Sequence, residues 1–271
     1  MLAWPLPVTC ARFVRFRRLP LASPTLHPPF WPTPRPVASG VTPRLAWLFD
    51  IDGTLLLTQG ASREAFSGAL RERLGVDDDL AGIAFAGRTE PLILADILER
   101  IGRRFEDGDE GKFWDAVFAQ MGTLLHPGRG LLMPGVPAIL DAIEDEPQWV
   151  SGLLTGNMTR MALIKLARFQ IEHRFAFGAF GQEAANRNAL AQVAVERVRA
   201  AYGVPPSRCI VVGDTEHDIA CARAAGARVV AVATGSVPRE VLAAHEPDMM
   251  YDDLGDFGAL LEWAREVAAG E

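Results

Sequence analysis

Apolar runs and helical periodicities alternate along the chain from about residue 44 onward. Short apolar runs bounded by turn residues predict buried strands, and longer segments with apolar positions three and four apart predict helices between them. The predicted strands are Leu45–Phe49, Trp149–Leu154, Phe175–Phe180, Cys209–Val212 and Arg228–Val232. The predicted helices are Ala65–Leu74, Leu92–Ile101, Phe113–Leu125, Pro134–Ile143, Thr159–Phe169, Asn188–Tyr202, His217–Ala225, Arg239–His245 and Phe257–Ala268.

This order of elements predicts an α/β fold with a doubly wound, Rossmann-like parallel sheet. Strands that alternate with helices form parallel sheets covered on both faces. The stretch 58–133 is helical throughout and too long for a simple crossover, so we expect an inserted α-helical cap domain there. The sheet domain would then comprise 44–57 and 134–271.

The first 43 residues differ in composition from the rest. They contain no acidic residue, a cluster of arginines and many prolines. Prolines at this density break both helices and sheet ladders, so we expect an extended or disordered tail. A transit peptide and an upstream error in the assigned gene start both fit this composition, and we prefer the second.

Composition narrows the classes of function only slightly. The formal net charge is −7, which argues against a broad nucleic-acid surface. No apolar run is long enough to span a bilayer, so we expect no membrane partner. The three cysteines show no metal-ligand spacing, and Cys209 and Cys221 stand in apolar surroundings typical of small core residues in a reducing compartment. We therefore expect a cytoplasmic protein, and its oligomeric state is left open.

Polar residues follow three of the predicted strands, where ligand crevices form in parallel sheets. They are Asp50 and Asp52, then Thr155 and Asn157, and then Asp214 and Asp218. A cluster of carboxylates at one site is costly unless a hard cation compensates it, and oxygen ligands suit Mg²⁺. The sequence thus predicts a magnesium site at the carboxyl end of the sheet.

The same residues suit attack on phosphorus. A carboxylate beside Mg²⁺ can act as a nucleophile, and a second carboxyl two residues on can protonate the leaving oxygen and then activate water. Phosphoryl oxygens need hydrogen-bond donors. Thr155, the backbone amides around Gly156 and Asn157, and one cation would supply them.

The ordered motifs of the chain resemble those of the haloacid dehalogenase-like hydrolase superfamily. The matching segments are Asp50-Ile51-Asp52-Gly53-Thr54-Leu55-Leu56, Thr155, and Gly213-Asp214-Thr215-Glu216-His217-Asp218. The helical insert is similar to the cap of the phosphoglycolate phosphatase-like branch. The resemblance extends from Leu45 to about Ala268.

This resemblance implies a role for each matching residue. Asp50 would be the nucleophile that forms an aspartyl-phosphate, and Asp52 the general acid and base. Mg²⁺ would be held by the carboxylates of Asp50 and Asp214 and by the backbone carbonyl of Asp52. Thr155 would bind the phosphoryl group, and Asp218 would support the metal site or the phosphate-binding cation.

The phosphate-binding cation departs from the family pattern, which has a lysine before the strand that ends in Gly213-Asp214. Arg187 stands nearest to that place and is our preferred match, since arginine also binds phosphate. Lys165 is the rival, but it lies ten residues after Thr155 in a helix that we expect to face outward.

Two features of the insert and of the reaction leave alternatives open. Arg88 is a candidate substrate contact from the cap, but the same segment is equally a helix start with Thr89 as N-cap before Pro91. We expect a Mg²⁺-dependent phosphatase of a small phosphorylated metabolite. A phosphomutase or phosphotransferase, and a non-catalytic phosphate-binding scaffold, are the alternatives. A dehalogenase would have no use for Asp52, and a phosphonatase would need a recognisable cap lysine motif, which Lys112 lacks.

Overall fold

The structure is a computed structural model that describes residues 41–270. The prediction of an extended tail over residues 1–43 lies almost wholly outside the described residues, as does Cys10. Among the described helices, none has both the length and the apolar character needed to cross a bilayer.

The strands and helices follow the predicted alternation. In chain order the strands are β1 Leu45–Phe49, β2 Leu56–Leu57, β3 Leu131–Leu132, β4 Trp149–Thr155, β5 Phe177–Phe180, β6 Cys209–Gly213, β7 Arg228–Val232 and β8 Met249–Tyr251. The α-helices are α1 Ala61–Leu74, α2 Glu90–Arg100, α3 Asp109–Leu124, α4 Val136–Glu144, α5 Thr159–Arg168, α6 Arg187–Tyr202, α7 Glu216–Ala224, α8 Arg239–Ala244 and α9 Gly258–Ala269.

Six parallel strands form the main sheet in the order β5-β4-β1-β6-β7-β8. The predicted α/β class with a parallel sheet is therefore confirmed. Strand β1 lies between β4 and β6, with Phe49 opposite Leu153 on one side and Val212 on the other. The carboxyl ends of these three strands consequently lie side by side.

Both faces of the sheet are buried, as a parallel sheet requires. Alternate residues of β1 enter two different apolar clusters, with Trp47 and Phe49 on one face and Ala46 and Leu48 on the other. All four side chains are fully buried. Burying a large apolar side chain contributes roughly 1.5–3 kcal/mol, so β1 anchors the residues that follow it.

Three short strands escaped the sequence analysis. Strand β8 has only three half-buried residues at the edge of the sheet. Strands β2 and β3 have two residues each and pair with one another in an antiparallel ribbon. Runs this short carry no measurable periodicity, because two or three residues fit any pattern.

The helices α1, α2 and α3 lie between β2 and β3 and share an apolar cluster of their own. Phe66, Leu70 and Phe113 are fully buried within it, and Met161 of α5 joins it from the sheet side. The β2–β3 ribbon stands where the chain enters and leaves these helices. We keep residues 58–133 as the proposed cap domain, with 44–57 and 134–271 as the proposed core.

Candidate active site

A cavity of about 550 Å³ opens where β1, β4 and β6 end. Each strand delivers a polar residue to this edge, because the chain leaves a buried strand and turns: Asp50 follows β1, Thr155 ends β4 and Asp214 follows β6. Asp50, Asp52 and Asp214 line the cavity together with Lys165 and Arg187. Residues of the helical insert, Arg88 among them, form the opposite wall.

Three carboxylates form a buried group at the base of this edge. Asp50, Asp214 and Asp218 each place an oxygen within 4.8 Å of the others. Asp50 is 4% exposed, Asp214 3% and Asp218 fully buried. Arg187, the first residue of α6, lies 3.2 Å from Oδ1 of Asp50 and donates a hydrogen bond to Oδ1 of Asp218. We call these four residues the Asp50 group.

The Asp50 group carries more negative than positive charge. Burial raises the pKa of Asp50 to about 6, against the opposing effect of Arg187 and with the help of Asp218. Burial likewise raises the pKa of Asp214, reinforced by Asp218 and Asp50. Burial acts to lower the pKa of Arg187, but Asp218 and Asp50 outweigh it, so the guanidinium stays charged.

These residues fit a divalent cation. Three carboxylates face one guanidinium, so full ionisation leaves two negative charges without a partner in the group. Hard oxygen ligands with no thiol or imidazole among them are the set that Mg²⁺ prefers. Gly235 leaves room for this arrangement, since a Cβ there would come within 1.7 Å of Oδ2 of Asp214. Asp50 and Asp214 are the residues that would hold the ion.

Asp218 is held differently from the other two carboxylates. Its Oδ2 accepts hydrogen bonds from the backbone N–H of Thr215 at 3.0 Å and from the hydroxyl of Thr215 at 2.8 Å. Its Oδ1 accepts from Arg187. Both oxygens are therefore engaged by the protein, which suits the predicted supporting role better than direct ligation.

Asp52 belongs to a second ionic group, which faces the helix α5. Nζ of Lys165 lies 2.8 Å from Oδ1 and 2.7 Å from Oδ2 of Asp52, and 2.6 Å from Oδ1 of Asn157. The side chain of Asp52 is 40% exposed, whereas that of Lys165 is 2% exposed. We call Asp52, Asn157 and Lys165 the Asp52 group.

The expectation that Lys165 faces outward is wrong. Lys165 is buried on the inner side of α5 with Met161, Ala162 and Leu166. The sequence contained this signal, because positions one, four and five residues after Met161 lie on the same stripe of a helix. A lysine in the middle of such a stripe is buried, and burial of an ammonium group requires partners, which Asp52 and Asn157 supply.

The predicted phosphate-binding loop, Thr155 to Asn157, is joined to the Asp52 group through Asn157. Nδ2 of Asn157 donates to Oγ1 of Thr155 at 2.7 Å and to Oδ2 of Asp52 at 2.8 Å. The hydroxyl of Thr155 accepts this bond and keeps its own hydrogen for another acceptor. Gly156 meets the insert, because a Cβ there would come within 2.0 Å of the carbonyl oxygen of Arg88. Only glycine allows this approach.

Both interpretations of the segment before α2 describe part of what the structure contains. Arg88 lines the cavity and pairs with Asp96. Thr89 occupies the N-cap position of α2, but its side chain makes no capping hydrogen bond with a described residue. Helix α2 thus begins without a side-chain cap from Thr89 and with Pro91 in its first turn.

Glu90 is a site residue that the sequence analysis missed. Its backbone N–H donates to the carbonyl of Gly156 at 2.8 Å, and its Oε2 accepts from the N–H of Met158 at 2.7 Å. Burial raises the pKa of Glu90 to about 7, although Lys165 opposes the shift. Glu90 ties the first turn of α2 to the loop after β4. In the sequence, Glu90 follows the predicted N-cap residue Thr89, a place where an acidic residue indicates only the start of a helix.

Proteins of known family resemble this chain in sequence. A family model described as HAD-hydrolase-like matches residues 187–257. The 5'-nucleotidase of Pseudomonas aeruginosa is 26% identical over 226 residues, which cover 79% of this chain and 94% of that protein. A phosphoglycolate phosphatase of Haemophilus influenzae is 25% identical over 219 residues, covering 79% and 96% of the two chains.

Solved structures share the fold. The crystal structure of CbbY from Rhodobacter sphaeroides in complex with phosphate aligns with a TM-score of 0.65 at 21% identity, over 79% of this chain and 96% of that one.

Proposed function

Since the chain belongs to the haloacid dehalogenase-like hydrolase superfamily, in its phosphoglycolate phosphatase-like branch, we propose that it is a Mg²⁺-dependent phosphatase of a small phosphomonoester. The proposed nucleophile is Asp50 and the proposed general acid and base is Asp52. One observation carries the proposal above all. Asp50 and Asp52 line one cavity but stand in separate ionic groups, which provides one carboxylate for attack and another for proton transfer.

In the first proposed step, a carboxylate oxygen of Asp50 attacks phosphorus and the bond from phosphorus to the ester oxygen breaks. Asp52 gives its proton to that oxygen, so the alcohol leaves uncharged. Mg²⁺ bound by Asp50 and Asp214 would offset repulsion between the carboxylate and the phosphoryl oxygens. Thr155 donates its hydroxyl hydrogen to a phosphoryl oxygen, and Arg187 contributes positive charge on the side of Asp50.

In the second proposed step, Asp52 acts in the opposite direction. Now ionised, it takes a proton from water as the water oxygen attacks the phosphorus of the aspartyl-phosphate. The bond between phosphorus and Asp50 breaks, inorganic phosphate leaves, and both carboxyl groups return to their starting states. Asp52 suits this alternation because its side chain lines the cavity and is 40% exposed, so that water can reach it.

The chain's own residues set the size of the substrate. A cavity of about 550 Å³ holds a small metabolite, and the insert supplies its outer wall. Relatives named as 5'-nucleotidase and phosphoglycolate phosphatase act on different phosphomonoesters. We propose a small phosphorylated metabolite without naming one.

Phosphate release from p-nitrophenyl phosphate, with MgCl₂ or with EDTA, tests this function. We expect turnover with Mg²⁺, and loss of at least about 10⁴-fold in kcat in Asp50→Asn, because no other group replaces the nucleophile. The variant purified in parallel also controls for contaminating phosphatases. Turnover that persists in Asp50→Asn or in EDTA would overturn the proposal.

The covalent intermediate has its own test. Rapid acid quenching of the enzyme with a ³²P-labelled substrate should leave label on the protein in the wild type and none in Asp50→Asn. Label that is stable to alkali would contradict an acyl phosphate, which hydrolyses under those conditions.

A further inference from the structure

Lys165 is a buried cation whose role the proposed chemistry does not yet assign. It was the rival for binding the substrate phosphate, and it lines the cavity. An ammonium group has three N–H donors, and three acceptor oxygens surround it: both carboxylate oxygens of Asp52 and Oδ1 of Asn157. A phosphate oxygen would have to displace one of them. The hydrogen-bond geometry therefore argues against phosphate binding.

Lys165 also determines how Asn157 is oriented. Because Lys165 can only donate, the atom of Asn157 that faces it must be the carbonyl oxygen. The amide nitrogen of Asn157 then points to Asp52 and Thr155, as observed. The buried ammonium group thus fixes the proton acceptors and donors on one side of the cavity.

The exposure of the pair is strongly unequal. Lys165 is 2% exposed and rises from the packed face of α5, whereas the side chain of Asp52 is 40% exposed. The cation is therefore the rigid partner, and the carboxylate keeps lone pairs open to the cavity. A carboxylate held from behind in this way retains access to substrate and water.

We propose that Lys165 is a positioning residue for Asp52, holding its carboxylate where it exchanges protons with the leaving oxygen and with water. This inference rests on the function proposed above. Lys165 neither touches the phosphoryl group nor takes part in proton transfer. Its effect passes through Asp52, so kcat/KM, which reports the steps up to formation of the aspartyl-phosphate, should fall only where the leaving group needs a proton from Asp52.

The dependence on the leaving group separates this role from phosphate binding. An alkyl phosphate needs a proton on its leaving oxygen, whereas p-nitrophenolate leaves as a stable anion. For Lys165→Met we expect kcat/KM for an alkyl phosphate to fall by about 10²-fold, since misplacing a reacting group costs about that much. For p-nitrophenyl phosphate, kcat/KM should fall by less than about threefold. The inhibition constant of inorganic phosphate should change by less than about twofold.

A double-mutant cycle tests the route through Asp52. If Lys165 acts only by positioning that carboxylate, Lys165→Met should have no further effect on the alkyl phosphate in an Asp52→Asn background. Lys165→Arg should recover part of the lost activity, because it restores a cation to the pair. The matched control is Lys112→Met, which changes the other lysine of the chain, 60% exposed in α3.

The outcomes are distinct. Equal losses on both substrates with weaker phosphate inhibition would make Lys165 a phosphate ligand, and additive losses with Asp52→Asn would give it an independent role. Either result overturns the proposal while leaving the phosphatase function in place, as would unchanged kinetics. Absence of turnover in the wild type would overturn the function and the inference together. If Lys165→Met does not fold, Lys165→Gln keeps a donor without the charge and allows the same comparison.

Discussion

Two ionic groups meet at the cavity, and they differ in how far water reaches their carboxylates. In the Asp50 group, Asp50, Asp214 and Asp218 are nearly or fully buried and outnumber their single cation, Arg187. In the Asp52 group, one buried ammonium faces one half-exposed carboxylate. The first arrangement has more carboxylates than cations, which favours the binding of a divalent cation. The second has a carboxyl group open to the cavity, as the proton exchange proposed for it requires.

Exposure thus places two chemically identical side chains in different surroundings. Asp50 and Asp52 are two residues apart, yet burial raises the pKa of Asp50 to about 6 while Asp52 turns toward the cavity and Lys165. A buried carboxylate with few water contacts is a better nucleophile when a cation offsets its charge. Four predictions test this division, beginning with the largest effect.

The largest expected effect is on the free energy of unfolding when either buried cation, Arg187 or Lys165, is removed. Arg187→Met leaves the buried Asp218 without its partner, and loss of one member of a buried pair costs about 3–5 kcal/mol. Lys165→Met should cost less, since Asp52 can turn into solvent. Urea unfolding in EDTA measures both free energies, with the exposed Arg199→Met in α6 as control. Equal losses of stability in the two variants would contradict the idea that the exposure of the partner carboxylate sets the cost.

The next largest expected effect is a pH-dependent loss of folding stability when Glu90 ionises. Its folded pKa of about 7 lies above the ordinary value of 4.5 in the unfolded chain, so the folded state binds more protons between these values. The stability contributed by the protonated carboxyl is present below about pH 4.5 and is lost as the pH rises through about 7. Ionised Glu90 should therefore cost up to about 3 kcal/mol at pH 8.

Glu90→Gln removes this titration while keeping the shape of the side chain. Relative to wild type, the variant should gain stability as the pH rises from 5 to 8 in urea unfolding. Glu99→Gln in the same helix changes an exposed residue and is the matched control. A constant difference between wild type and Glu90→Gln across this range would contradict the buried, protonated state.

Mg²⁺ should stabilise the folded protein through the Asp50 group, and this stabilisation should not depend on the side chain of Asp52. At a concentration 100 times its Kd, a ligand of the folded state contributes about 2.7 kcal/mol. We expect thermal unfolding to shift upward with Mg²⁺ in the wild type and in Asp52→Asn, but not in Asp214→Asn. A shift that disappears in Asp52→Asn would place the metal between the two groups instead.

The smallest expected effect concerns Arg88 on the opposite wall. Arg88 already pairs with Asp96 and is 27% exposed, so a substrate contact would replace that pair and contribute about 1 kcal/mol. Arg88→Met should raise KM about fivefold with kcat nearly unchanged. Arg160→Met, which changes an exposed arginine of α5, serves as control. An unchanged KM would leave Arg88 as a helix-start residue only.

Local patterns sufficed for most of the fold and for the residues that gather at the sheet edge. The buried strands could be predicted because short, mostly apolar runs bounded by turn residues are typical of buried strands, and the carboxyl ends of parallel strands meet at one edge of a sheet. Asp50, Thr155 and Asp214 could therefore be assigned to one edge before any distance was known. The short strands β2, β3 and β8 were not predicted, because runs of two or three residues carry no measurable periodicity.

The amino-acid sequence is enough to predict the parallel sheet, the carboxylates at its edge and a hard cation, since these follow from periodicity and charge. Which cation faces which carboxylate depends on the tertiary packing. Arg187 lies with Asp50 and Asp218, and Lys165 with Asp52 and Asn157. The reason is physical: ion pairing depends on distance and burial, and residues 113 apart in sequence meet only when α5 packs with its lysine inward.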